Sequence, residues 1–203
     1  MKLLKKIKLI NWHYFINETI PIEGNTLITG ENGAGKSTIL DAIQYVLSPG
    51  KQKFNFAAND RTKRTVNAYV RGKLGKSNQM YLRDGDITCH IALEFYDDLL
   101  NKSFIVGTVL DSRDTISAPN YLFYDLDDSE ITDELFLNGD KIPLNIREFK
   151  KDIKAKNNNK LAHTLLAARK NIAHRFNILD YNFFELLPKA LAFKPINNVK
   201  DFI

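Results

Sequence analysis

The chain has 203 residues, of which 44% are hydrophobic, 26% charged and 11% aromatic, with a formal net charge of +5. That is enough chain to bury a sizeable core in one domain or two small lobes. A single cysteine, Cys89, excludes an internal disulfide framework, and neither zinc spacing nor an apolar run near the ~18 residues of a membrane span occurs. The expected setting is a reducing cytoplasm with no membrane partner.

The net charge hides a segregation. Residues 1–92 carry 14 basic and 7 acidic side chains, residues 93–140 carry 2 and 12, and residues 141–203 carry 13 and 5. A uniformly basic nucleic-acid binder would not look like this, so a DNA-facing surface should occupy selected faces.

The N-terminus, MKLLKKIKLI, has lysines threaded through it and reads as a strand, not a signal peptide. Lys6–Ile10 alternates, and the aromatic cluster Asn11–Phe15 (NWHYF) follows. Core packing is the simplest use of that cluster; the alternative is that His13 or Tyr14 lies against a nucleotide. Thr19–Ile22 and Leu27–Thr29 read as further short strands, so an antiparallel sheet leads into what comes next.

What comes next is GENGAGKST, Gly30–Thr38, which matches G-x-x-x-x-G-K-[ST] at Gly30, Gly35, Lys36 and Ser37. The β-branched stretch Asn25–Thr29 precedes it. Ile39, Leu40, Ile43, Val46 and Leu47 follow at helical spacing. Strand, glycine loop and helix N-terminus in that order make a cradle for phosphate. Gly33 and Gly35 lack a Cβ, so Asn32–Gly35, with Ala34 between the glycines, can turn backbone N–H groups toward an anion. Lys36 should reach the β- and γ-phosphates, Ser37 should ligate Mg²⁺, and Thr38 should touch the α-phosphate of ATP.

Ser48-Pro-Gly50 ends the helix. From Arg61 to Arg83 no acidic residue occurs, while Arg61, Lys63, Arg64, Arg71, Lys73, Lys76 and Arg83 are basic and Tyr69 and Tyr81 interleave. This reads either as a solvated loop or as a contact with nucleotide phosphate or DNA. Strands are predicted at His90–Tyr96, half-exposed by its alternation, at Phe104–Leu110, more deeply buried, and at Tyr121–Leu126. Leu135–Leu137 and Ile142–Leu144 form a hairpin about Asn138-Gly139. Consecutive strands without helices between them mean an antiparallel subdomain. Cys89 is a buried strand thiol on this reading.

The acidic run Asp125–Glu134 (DLDDSEITDE) fails as a calcium loop, with Glu130 where glycine is needed and Phe136 where a bidentate Glu is needed, and reads as a solvated loop. Helices are predicted over Ile146–Lys156, Lys160–Arg175 and Asn182–Ala192, the last with a stripe of Phe183, Leu186, Leu187 and Leu191. His163 and His174 fall on or beside them without metal-ligand spacing. Pro195 breaks the pattern, and Asn198–Ile203 begins something new in a manner that suggests interruption.

Hydrolysis needs a carboxylate for Mg²⁺ and a group that positions water. Asp125 and Glu94 are the only candidates and neither is persuasive, so this chain is expected to hold half of an ATP site. Two rivals stand beside that reading: a self-contained kinase or GTPase using Asp125, and a non-catalytic DNA-binding module with a vestigial phosphate loop.

LINWHYF, GENGAGKSTILDAIQYVL, RGKLG and FFELLPKALAFKPINNVKDFI, in that order, resemble the N-terminal head segment of SMC-like ATPases of the MukB and MksB condensin type. The nearest likeness is to the JetC-like subunit of Wadjet plasmid-defence systems. The resemblance implies an α/β P-loop NTPase, the N-terminal half of an ABC/SMC-type head. It would have a phosphate-loop core (1–50), a basic loop with an antiparallel β subdomain (51–145) and a helical part leading to a coiled coil (146–203). It implies Mg-ATP, Walker B and signature motifs brought by the C-terminal half, a second head, DNA, kleisin-like and accessory subunits, and a nucleoid-associated location. Related proteins often carry arginine where this chain has His13, and Gln79 is no convincing Q-loop glutamine.

Overall fold

The computed structural model describes residues 1–54, 64–74, 80–154 and 159–191. Arg61, Lys63, Lys76, Gln79, Pro195 and Asn198–Ile203 lie outside the described residues. The fold is mixed α/β, built on one six-stranded sheet of order β2-β1-β3-β4-β5-β6 in which every neighbouring pair is antiparallel. The strands are β1 (Lys2–Trp12), β2 (Phe15–Pro21), β3 (Ile87–Asp97), β4 (Lys102–Ser112), β5 (Asn120–Asp127) and β6 (Lys160–Ala162). The helices are α1 (Lys36–Leu47), α2 (Val66–Arg71), α3 (Ile146–Lys154), α4 (Leu165–Phe176) and α5 (Phe183–Leu191).

Both faces of the sheet are covered, because alternate side chains of the central strands are apolar in both directions. From β3, Cys89, Ile91, Leu93 and Phe95 enter one core, which α1, α2, α4 and α5 close through Val46, Val70, Ile172 and Phe184. From the same strand Ala92 enters a second core, closed by Phe136, Phe149 and Ile153 of the segment that ends in α3. Strand β3 is therefore buried on both faces, not half-exposed as its alternation suggested: His90 and Glu94 are as inaccessible as their apolar neighbours. His90 Nε2 donates to Leu144 O, 2.8 Å away, with the rings of Phe136 and Phe149 edge-on to the imidazole. Burial lowers its pKa to about 4, so it is a neutral core histidine.

The segregated charges meet across the sheet. Lys2, Lys6 and Lys8 of β1 pair with Asp97, Glu94 and Asp133, and Lys102 pairs with Asp128. The basic start of the chain thus neutralises much of the acidic middle. The run Asp125–Glu134 is accordingly not a plain solvated loop. Its first residues belong to β5, and Asp133 opens a 3-10 turn (Asp133–Leu135) while accepting from buried Lys8 at 2.5 Å.

Three further expectations change. Asn25–Thr29, the strand expected ahead of the glycine loop, is not a strand, and neither is Leu27–Thr29 within it, because its backbone pairs with no described neighbour: β-branched residues favour an extended chain, but a ladder needs a partner. The start of the predicted helix Lys160–Arg175 is instead edge strand β6, since Lys160–Ala162 pairs with Phe123–Asp125 before Thr164 caps α4. In α5 the buried positions are Phe184 and Pro188, whereas Leu186 faces out. The turn at Asn138-Gly139 is present, with Asn138 N on Ile142 O and Leu144 N on Phe136 O.

Gly107 of β4 sits where Tyr124 crosses the sheet. A Cβ there would lie 2.4 Å from the Tyr124 phenol and 2.6 Å from Ile91 O, a backbone atom with nowhere to go. Gly107→Ala is expected to cost roughly 2–3 kcal/mol through overpacking. Chemical denaturation should show a lower midpoint, and an unchanged midpoint would refute this close approach of Gly107 to Tyr124 and Ile91 O.

Candidate nucleotide-binding site

Residues 30–35 form a loop, exposed through Ala34, that runs directly into α1, whose first residues are Lys36, Ser37 and the buried Thr38. Gly33 and Gly35 have φ of 89° and 96°, the left-handed region in which a side chain is strained, and Gly35 is the N-cap residue of α1. No side chain caps that helix, so the N–H groups of Lys36, Ser37 and Thr38 are left as donors at the positive end of the helix dipole. Lys36 Nζ donates to Gly30 O at 2.6 Å and Glu31 O at 2.8 Å, holding its ammonium against the loop. Among the described residues the Ser37 hydroxyl has no hydrogen-bond partner. A concave row of N–H donors, a lysine bound only to carbonyls and an unengaged serine fit a polyphosphate with its magnesium ion.

The turn between β1 and β2 supports this loop. Trp12 is fully buried, stacks on Tyr69 with ring centroids 4.4 Å apart, and donates its indole N–H to Thr38 O at 3.0 Å. The ring of Phe15 lies 3.0 Å from where a Cβ of Gly35 would stand, so the glycine is required there for space as well as for conformation. Asp41, one turn into α1, accepts from the Tyr69 hydroxyl, with Arg64 3.9 Å away. Helix α1 is thereby tied to α2. His13 stays neutral: burial first, then Arg64 and Arg83, lower its pKa to about 4, so it brings no cation to a phosphate. Tyr14, by contrast, is largely exposed at the tip of the turn.

The basic segment divides by role. Arg83 donates to His13 O at 2.7 Å, Phe15 O at 3.3 Å and Asn11 Oδ1 at 3.1 Å, clipping the turn that carries Trp12 and Phe15. Arg71 is buried and donates to Ser112 Oγ at 2.9 Å, Asp114 O at 2.7 Å and Gly85 O at 2.9 Å. These two arginines are internal braces, neither solvated nor phosphate-facing. Their partners are up to about 70 residues distant in the chain, which left no local pattern to find.

The candidate carboxylates are both engaged elsewhere. Glu94 accepts from Lys6 at 3.2 Å and from Ile131 N at 2.6 Å. Asp125, on β5, is gripped by Arg175 of α4 at 2.7 and 3.0 Å. Burial raises the Asp125 carboxyl above the ordinary carboxylate range against the pull of that guanidinium. The same arginine reaches Asp127 at 2.8 Å and lies over Phe104, 4.7 Å from the ring centre. That arrangement gives Asp125 a structural partner in place of a metal ion. Cys89 is fully buried and burial pushes its thiol well up, in keeping with an inert strand residue. His163 and His174 lie beside Lys150 and Lys160, each 3.2 Å from the ammonium. No group of three or more metal-ligating side chains occurs among the described residues, and no described helix is long and apolar enough to cross a membrane.

Loop, helix and sheet together define a P-loop nucleotide-binding fold. The family described as the P-loop containing region of AAA domain matches residues 4–61, under a third of the chain. Over 49 residues the chain is 37% identical to the DNA replication and repair protein RecF of Brucella abortus, a stretch covering 24% of this chain and 12% of that protein. Over 50 residues it is 48% identical to the DNA double-strand break repair Rad50 ATPase of Aeropyrum pernix, covering 24% of this chain and 5% of the relative. The chain therefore carries a P-loop region similar to those of RecF and Rad50 and spans a small part of each protein's length.

Proposed function

We propose that this chain is the Mg-ATP-binding N-terminal half of an SMC-like ABC-type ATPase head. The observation that carries the reading is the uncapped N-terminus of α1 behind Gly33 and Gly35, with Lys36 drawn over the loop. In this reading Asn32–Gly35 and the N–H groups of Lys36–Thr38 cradle the phosphates, Lys36 neutralises the β- and γ-groups, and Ser37 holds magnesium. Bound magnesium would supply charge neutralisation for the transferred phosphoryl group.

Because Asp125 and Glu94 are held by Arg175 and by Lys6 with Ile131 N, turnover requires carboxylates from elsewhere. We assign these to the C-terminal half of the same head, completed by a second copy, so that this chain alone binds ATP without hydrolysing it. Two relatives named for DNA repair support an action on DNA. The sequence resemblance supports a MukB-like or JetC-like protein of chromosome maintenance or plasmid defence. Such a protein would carry kleisin-like and accessory subunits and a coiled coil, and would work in the cytoplasm at the nucleoid.

Trp12 is the only tryptophan, and its indole is bonded to Thr38 O. Titration with Mg-ATP is therefore expected to change its emission saturably, with inorganic phosphate far weaker. A spectrum indifferent to ATP, together with no binding by calorimetry, would overturn the assignment.

A further inference from the structure

Lys2, Lys6 and Lys8 of β1 and Lys102 each face a carboxylate, but the lysines around the β6 edge do not. Among the described residues Arg147, Lys150, Lys154, Lys160 and Lys170 have no carboxylate within ion-pair distance. Instead, Lys150 Nζ lies 3.2 Å from His163 Nε2, and Lys160 Nζ lies 3.2 Å from His174 Nδ1. Each ammonium thus turns to an imidazole while carboxylates serve cations elsewhere. Lys160 also feels Asp125, whose charge Arg175 already neutralises.

Topology makes these cations one surface. Helix α3 packs on one face of the sheet through Phe149 and Ile153, α4 packs on the other through Ala168 and Ile172, and β6 is the edge between them. At about 100° per residue, Arg147, Lys150, Lys151 and Lys154 share one flank of α3, while Glu148 and Asp152 fall on the other. The contact of Lys150 with His163 turns the basic flank toward β6. On α4, Lys170 and His174 stand four apart on the exposed side.

We infer that this ridge, from the basic flank of α3 over the β6 edge to Lys170 of α4, binds the phosphodiester backbone of duplex DNA. Gathering like charges without counterions costs free energy that a row of phosphates returns, with release of condensed ions. Membrane lipid fits less well, because both helices bury their apolar residues in the two cores and leave only Leu166 exposed, so no apolar stripe can enter a bilayer interface.

The test is fluorescence anisotropy of a labelled duplex with the whole chain, without nucleotide, over a range of salt. Lys150→Ala, Lys154→Ala and Lys160→Ala combined should weaken binding roughly tenfold or more and reduce the log–log salt slope by about 2 to 3. Lys102→Ala, removing a paired lysine, should change neither quantity. Lys36→Ala should bind the duplex normally, which separates this inference from the nucleotide reading. Circular dichroism of the triple variant should match the parent. Absence of duplex binding, a salt slope unchanged in the triple variant, or tighter binding to phosphatidylserine vesicles than to duplex would each overturn it.

Discussion

Lys36→Ala is expected to weaken Mg-ATP binding by about ten- to a hundredfold and to leave the protein nearly as stable as before. The ammonium is tied only to two backbone carbonyls of an exposed loop, Gly30 O and Glu31 O, so its removal strands no buried charge and opens no cavity. Its worth appears when an anion arrives: a charge-assisted hydrogen bond contributes roughly 1.5–3 kcal/mol, and about 1.4 kcal/mol is tenfold in affinity. A Trp12 titration beside a thermal melt checks both halves of the expectation. Parental affinity in the variant would remove Lys36 from the site, and a large drop in melting temperature would make it a structural residue.

Arg175→Ala is expected to do the reverse, lowering stability by on the order of 3 kcal/mol while nucleotide affinity holds. Asp125 is nearly inaccessible on β5, and its carboxylate would be left buried without its guanidinium. The stacking of Arg175 over Phe104 would go as well. For a chain of this size the melting temperature should fall by about 6–12 °C. Measured well below that temperature, Mg-ATP binding should match the parent, because Asp125 and Arg175 brace β5 to α4 and take no part in the phosphate loop. If Asp125→Asn or Arg175→Ala abolished ATP binding in a still-folded protein, Asp125 would have to be restored as a site carboxylate.

Both expectations depend on information of different range. The loop from Gly30 to Thr38 was legible residue by residue because its conformation is a local matter: glycines that permit positive φ, followed by a run with helical periodicity. Strands β1, β3, β4 and β5 were legible for the same reason, as apolar runs bounded by turn residues, whereas the mostly exposed β2 was read only from Thr19 and begins at Phe15. Strand β6 and the failed strand at Leu27–Thr29 show where that ends. Three residues beginning with lysine become a strand because β5 offers them a free edge, and a β-branched triplet does not because no described strand lies alongside.

Taken alone, then, the sequence determined the phosphate-binding turn, the helix behind it, the antiparallel character of the strands and the segregation of charge along the chain. Tertiary structure alone decided which charges are spent. It turned Arg71 and Arg83 onto internal carbonyls as braces, closed Asp125 with Arg175, matched Lys2, Lys6 and Lys8 of β1 to the acidic middle, and left the β6 edge with unpaired cations. The physical reason is that an ion pair depends on distance in space. Partners such as Lys8 and Asp133, which stand 125 positions apart in the chain, meet only after the sheet has formed.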